Sequence, residues 1–310
     1  MVGVTEVAED IYQLEPQDIG PADRSTVYFI ADTETALVET GPGIVATAVV
    51  EGMRRLGREV TGLRYIIATH IHLDHAGGVG YLAQQSGGAQ VIVHRSGARH
   101  FIDPRRLIEG TRAAFGEDFE EEYGPILAVP EEQVFAVDGG ETVPLGDRQL
   151  QVIYAPGHAP HHIAVFDLKS RGLFCGEGLG AFRPGFDTVM PVAAPPMFEL
   201  DLALQTMARL KELHPEVLFY SHGTAERDVE TLISLCEENT RRFGEVVLES
   251  MRAGEDAEAL MRRVVKCLAT EIRALGRPGA SMNPKDWALS GWYRLMIEGY
   301  TAYFAKKGLA

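Results

Sequence analysis

Apolar and polar positions along the first forty residues alternate in short runs: IYQLE at 11–15, TVYFIA at 26–31 and TALVE at 35–39, the last closed by the turn TGPG at 40–43. Runs of that length bounded by Gly and Pro predict β-strands. The period then changes. Val45, Val49, Met53 and Leu56 recur at helical steps, which predicts a helix over 44–56 with Gly57 as its C-cap. LRYIIAT at 63–69 is almost wholly apolar and reads as a buried strand, and a helix over about 77–86 followed by AQVIVH at 89–94 continues the alternation.

From 95 to 133 the periodicity weakens, with Asp-Pro at 103–104 and the acidic run EDFEEEY at 117–123, so this stretch is expected to be a partly helical, lid-like insertion. Strands resume with QVFAV, RQLQVIYA, HHIAVFDL and GLFCG, then a helix at about 199–213 and a last strand EVLFYS. Beyond Glu226 only helical spacing remains: Val229, Leu232, Ile233, Cys236 and Phe243, then Leu260, Met261, Val264, Leu268 and Ile272. Asn283, Pro284 and Asp286 give a start signal for a final helix. The expected class is α/β: two halves of strands flanked by helices, stacked as sheets with helices outside. Residues 1–223 would form that domain and residues 224–310 a helical C-terminal extension.

Composition narrows the function more than the fold. The 310 residues are 45% hydrophobic and 24% charged, enough for a large core. A net charge of -15 repels phosphate backbones, and the pairs Arg54-Arg55, Arg105-Arg106 and Arg262-Arg263 are too short for a basic track, which argues against a nucleic-acid partner. No run of about eighteen apolar residues occurs, and the opening MVGVTEVAED carries acid where a secretory signal carries base. The expectation is a cytoplasmic protein with a small-molecule substrate and no membrane partner; the exposed helical faces leave a homodimer open. Cys175, Cys236 and Cys267 are widely spaced without CxxC and read as small buried hydrophobes.

The chemistry is concentrated in THIHLDHAGG at 69–78, where His70, His72, Asp74 and His75 follow the apolar run directly. Imidazoles at that density seldom pack a core, because each ring nitrogen needs a partner when buried. His70 and His72, two apart, leave an extended chain on one face, while Asp74 and His75 follow where it turns, an arrangement that can serve two adjacent metal positions. His158, after Pro156-Gly157, supplies a third imidazole and completes a site with one position open for water. His161 and His162 come next, one leaning toward the pocket and the other filling the following strand. Glu177 in LFCGEGLG is placed to bridge two metals, and His222 in LFYSHGTAE to complete the second. Each candidate stands at or just after a strand's carboxyl end, which is itself evidence for one site.

Together these motifs resemble the metallo-β-lactamase superfamily: its HxHxDH is HIHLDH here, its later histidine lies in PGHAPHH and its last in SHG, over residues 26–223. The resemblance implies an αββα sandwich with a helical C-terminal extension, with His70, His72 and His158 on one metal and Asp74, His75 and His222 on the other, bridged by a carboxylate. It implies two divalent ions, zinc first and iron or manganese as alternatives. Two departures stand out, since Glu39 in ETG and Glu177 in GE replace the usual aspartates. Glutamate reaches about 1.5 Å further, which bears on how Glu177 bridges ions about 3.5–4 Å apart. Glu39 and His161 are expected to orient the site rather than ligate.

A metal-bound hydroxide acting on a small ester, thioester or lactone is the expected activity, with Asp74 handling proton transfer. The alternatives are a di-iron oxygen-binding or redox protein and a ligand-binding homologue of low turnover. Phe182, Phe186, Met190, Met197 and Phe198 read either as the apolar wall of the substrate pocket or as ordinary packing, and Phe101, Phe115, Tyr123 and Trp292 as lid contacts.

Overall fold

The computed structural model describes residues 2–16, 25–182, 187–276 and 292–310, except for the side chains at 114, 115, 117 and 292. Phe186 and the start signal at 283–286 lie outside these residues, as do the side chains of Phe115 and Trp292. The chain divides into two compact units: Met1–Tyr154, His161–Gly176 and Pro215–Ala225 form the first; Ala155–Pro160, Glu177–His214 and Glu226–Ala310 the second.

Two sheets make up the first unit. One has the strands β1 (Val2–Ala8), β2 (Ile11–Pro16), β3 (Val27–Ala31), β4 (Thr35–Val38), β5 (Leu63–Ile67), β6 (Gln90–His94) and β7 (Val134–Val137) in chain order. Its first four strands are antiparallel, and β4 to β7 are parallel. The other contains β8 (Thr142–Leu145), β9 (Arg148–Tyr154), β10 (Ile163–Asp167), β11 (Gly172–Gly176), β12 (Val217–Tyr220) and the two-residue β13 (Ala225–Glu226), in the order β13-β12-β11-β10-β9-β8. Alternate side chains decide how the sheets meet. Tyr28, Ile30, Ala36, Val38, Tyr65 and Ile67 turn inward from the first sheet onto Val152, Ile163, Val165, Phe174 and Phe219 of the second. The rings of Tyr28, Phe174 and Phe219 lie 4.5 to 5.5 Å apart at its centre, geometry in which aromatic pairs add to plain area burial.

The other faces of the same strands (Val27, Phe29, Leu37, Ile66, Val91 and Val93) pack under helices α1 (Ala46–Arg55), α3 (Val79–Ser86) and α4 (Arg95–Ile102). A four-residue helix, α2 (Leu73–Ala76), lies between β5 and α3. The insertion is indeed helical in part, with α5 (Arg105–Phe115) and α6 (Phe119–Tyr123). In the second unit, α7 (Leu200–Lys211), α8 (Val229–Arg252), α9 (Ala257–Thr270) and α10 (Trp292–Lys307) carry the helical region. Phe198, Phe243, Tyr300 and Phe304 form an aromatic core there, and Asp256 caps α9 by accepting the Ala259 N–H at 2.8 Å. Among the described residues no helix is long and apolar enough to cross a membrane.

The α/β class, the two stacked sheets and the helical C-terminal region expected from the sequence are all present. Three strands were not foreseen, one of them the two-residue β13. β1 is an edge strand with most of its positions half-exposed, so its alternation is faint; β8 carries Pro144, tolerated because β8 is also an edge.

At the strand ends away from Glu39, Arg148 is fully buried and holds the turns together. It donates to Asp32 at 3.0 Å, to Asp167 at 2.5 Å and to the Glu9 carbonyl at 2.6 Å, while Lys169 also reaches Asp32 at 3.0 Å. Burial acts to raise the Asp32 pKa, but the Thr33 N–H, Lys169 and Arg148 overbalance it and hold the carboxyl below its ordinary 3.8. Removing the guanidinium would strand buried carboxylates, so Arg148→Met is expected to lower stability by about 3–5 kcal/mol in urea unfolding at pH 7. Because the Asp32 pKa is depressed in the folded state, its stabilisation is complete above pH 3.8 and fades as pH falls through the folded value. The measured penalty of the variant should shrink over that same acid range.

Candidate metal centre

Parallel pairing puts several strand ends at one edge. β4 and β5 run parallel, as do β11 and β12, so Glu39, Thr69-His70 and Ser221-His222 follow strands that finish together. Backbone bonds fix the exits. The Glu39 N–H donates to the Ile67 carbonyl at 2.9 Å, and the Ile163 N–H donates to Thr69 at 2.8 Å, joining the two sheets. Thr26 N–H and the Tyr28 hydroxyl donate to Ser221 and Tyr220 carbonyls at 2.5 and 2.8 Å. The short helix α2 is held by Thr40, whose N–H and hydroxyl both reach the His75 carbonyl, at 2.8 and 3.0 Å.

Glu39 sits at φ +64°, in the left-handed region where a residue with a side chain is strained by about 1–3 kcal/mol. Its carboxylate is fully buried. It accepts from the Thr69 hydroxyl at 2.5 Å and N–H at 3.3 Å and from the Ser221 hydroxyl at 2.9 Å, and it faces His75 Nδ1 at 3.3 Å. Those partners assign the tautomers. A proton on His75 Nδ1 leaves a lone pair on Nε2; Thr69, having given its proton to Glu39, accepts from His70 Nδ1 at 3.0 Å and leaves a lone pair on His70 Nε2.

Ring nitrogens and a carboxylate oxygen converge here. His75 Nε2 stands 3.2 Å from Asp74 Oδ2 and 3.1 Å from His222 Nε2, and His222 Nε2 stands 3.3 Å from Asp74 Oδ2. Donors about 2.0–2.1 Å from a tetrahedral ion are spaced about 3.3 Å from each other, so the triangle matches what a cation needs. His70 Nε2 and His72 Nδ1 meet in the same way at 3.0 Å. Glu39, His70 and His75 form a further overlapping donor set. A third of the Asp74 side chain stays open to solvent, beside the buried rings of His75 and His222.

In the second unit His158 and Glu177, both buried, make the corresponding pair. The His158 Nδ1–H donates to the Val192 carbonyl at 3.2 Å, turning Nε2 onto Glu177 Oε2 at 2.8 Å. Just before Glu177, Gly176 has φ +54°, and a Cβ there would overlap His162 Nε2 and the Thr69 hydroxyl. The ring of His161 stacks parallel to His70 at 6.2 Å and edge-on to His72 at 5.9 Å, and His162 lies 5.1 Å from His70.

The remaining named residues lie as follows. Phe101 lies in the core beneath the first sheet, and Tyr123 clusters with Leu73 and Phe119 beside Asp74; burial first, then Asp74, pushes its phenol pKa up. Phe182 and Met190 are buried, the Phe198 ring packs on Tyr300 at 4.9 Å, and Met197 is exposed. Sequence reasoning missed Thr69, Ser221 and the Val192 carbonyl. A hydroxyl residue directly before a histidine at two strand ends was the available signal for the first two; a carbonyl has none.

Residues 20–222 match the family model of the metallo-beta-lactamase superfamily. The chain belongs to that superfamily, and its αββα sandwich is the fold the motifs implied. A metallo-beta-lactamase fold-containing protein of Sulfurisphaera tokodaii, ST1585, is 32% identical over 52% of this chain and 60% of its own length. The ST1585 crystal structure superposes with a TM-score of 0.65 at 21% identity, over 95% of this chain and 99% of that one. A hydroxyacylglutathione hydrolase of Synechococcus is 32% identical over 52% of each chain, and an N-acyl homoserine lactonase of Bacillus thuringiensis is 27% identical over 56% of this chain and 61% of its own. The aligned part thus spans 52 to 61% of these curated relatives.

Replacing Glu39 by Gln keeps the size, removes the charge and turns one of the two acceptor oxygens into an NH2 donor that opposes the Thr69 donors or His75 Nδ1–H. Metal affinity is expected to fall about 10–100-fold, read by competition with a chromophoric chelator.

Proposed function

We propose that this protein is a dinuclear metal-dependent hydrolase of a small ester, thioester or lactone. The observation that carries the reading is the triangle of Asp74 Oδ2, His75 Nε2 and His222 Nε2, with the His75 proton committed to Glu39. Face-to-face lone pairs are repulsive unless a cation or a further proton lies among them. In this proposal the triangle holds one ion, while His70 and His72 in the first unit and His158 and Glu177 in the second each offer a further pair of donor atoms.

Two divalent cations bound there supply an acidified water and an electrophile for the substrate's carbonyl oxygen. The chain's own residues do the rest. Asp74, partly open to solvent, accepts a proton from the attacking water and returns it to the leaving group. Glu39 keeps His75 from rotating and prevents the proton on Nδ1 from moving to the side that faces the ion. A chain of net charge -15 disfavours polyanionic substrates, which supports a neutral carbonyl compound. The hydrolase and the lactonase among the relatives point the same way.

Elemental analysis of protein purified without added metal, followed by a panel of esters, thioesters, lactones and phosphodiesters, tests this reading. Wild type should hold metal and turn over a carbonyl substrate; His72→Ala should lose metal, and Asp74→Asn should lower kcat about 10²–10⁴-fold. Visible absorption of the same sample separates a zinc enzyme from an iron–oxygen protein. Unchanged metal content and turnover in both variants would reject the proposal.

A further inference from the structure

Helix α8 buries a largely apolar face, with one buried amide among its residues: Asn239. An amide in a core is costly unless every donor and acceptor is used. Here all are. Its Nδ2 donates to the Thr188 hydroxyl at 2.8 Å and to the Val189 and Arg273 carbonyls at 2.9 and 3.2 Å, and its Oδ1 accepts the Arg273 N–H at 3.0 Å. A flipped amide would set oxygen against two carbonyls, so the orientation is unique. Thr188 closes the knot by donating to the Arg273 carbonyl at 2.5 Å.

The knot is joined to the ligands by a short ribbon. Three residues after Val189 stands Val192, whose carbonyl holds His158 Nδ1. Between them Met190 exchanges two backbone bonds with Ala181, both 2.9 Å, and the Gly180 N–H donates to the Glu177 carbonyl at 3.1 Å. Gly180 is at φ +74°, and a Cβ would overlap the Met190 carbonyl, so only glycine allows this approach. His158 and Glu177 are therefore both tied to the one ribbon that Asn239 fastens to α8.

We propose that Asn239 is a positioning residue for the His158–Glu177 cation site, acting through Val189 and the Val192 carbonyl on the orientation of the His158 ring. The inference rests on the metal-centre reading above. Without the knot, Val192 is free to shift and the imidazole loses the bond that aims Nε2.

Cobalt(II) titration of the protein, stripped of metal and followed by d–d absorption and chelator competition, tests this. Asn239→Leu and the milder Thr188→Val should weaken one of the two cobalt equivalents about 10–100-fold and leave the other unchanged. Phe243→Leu, which trims an aromatic contact of the same helix with Tyr300 at 5.2 Å, should lower stability without changing either equivalent. If Asn239→Leu fails to fold, Thr188→Val decides. Unchanged affinities in the first two variants, or equal weakening of both equivalents in all three, would overturn the proposal. A wild type that takes up no cobalt would instead reject the metal centre itself.

Discussion

A carboxylate removed from water must be compensated by hydrogen bonds, and Glu39 is compensated by groups that belong to the ligand loops. Thr69 and Ser221 each directly precede a histidine, His70 and His222, and the third partner is itself a histidine, His75. The bonds that make the buried charge tolerable are therefore the same ones that set ring orientation and tautomer in the site. This dependence also accounts for the strained φ of Glu39: the surrounding donors hold the residue there although its backbone alone would not choose that conformation. It holds the His70 and His75 rings in fixed orientations, the preorganisation that the proposed centre requires.

The first unit separates this from stability. At one edge the strands end in loops rich in His and carboxylates; at the other, Arg148 collects Asp32, Asp167 and the Glu9 carbonyl into a buried network. Between them lies a core of Tyr28, Phe174, Phe219 and aliphatic side chains shared by both sheets. Parallel pairing at β4–β5 and at β11–β12 is what lets chemistry gather on one side, since neighbouring parallel strands end at the same edge. In the second unit the Val192 carbonyl accepts from His158 Nδ1 and turns Nε2 onto Glu177.

Much of this was legible beforehand, for physical reasons that differ by residue. LRYIIAT announces β5 because a strand buried on both faces is apolar throughout, and HIHLDH announces its chemistry because so many imidazoles have no business in a core. β1 and β8 were not legible, being edge strands with weak alternation and, in β8, a proline. Glu39 could be placed by its motif, but its partners could not, because Thr69 and Ser221 meet it across 30 and 182 residues of chain. Val192 acts through its backbone, which no side chain advertises. Asn239 reads as an ordinary break in an amphipathic face until the carbonyls around it are known. Phe198 reads either as a pocket wall or as packing, and its ring contacts Tyr300 at 4.9 Å.

The central claim is that loops from separate strands hold a pair of cations. Anomalous diffraction from crystals of the metal-loaded protein, collected across the absorption edge of the bound element, tests it most directly. Two peaks about 3.5–4 Å apart are predicted, one of them within coordination distance of Asp74 Oδ2, His75 Nε2 and His222 Nε2. A loaded protein with no peak against those three atoms, or with its only peak elsewhere on the molecule, would contradict the account.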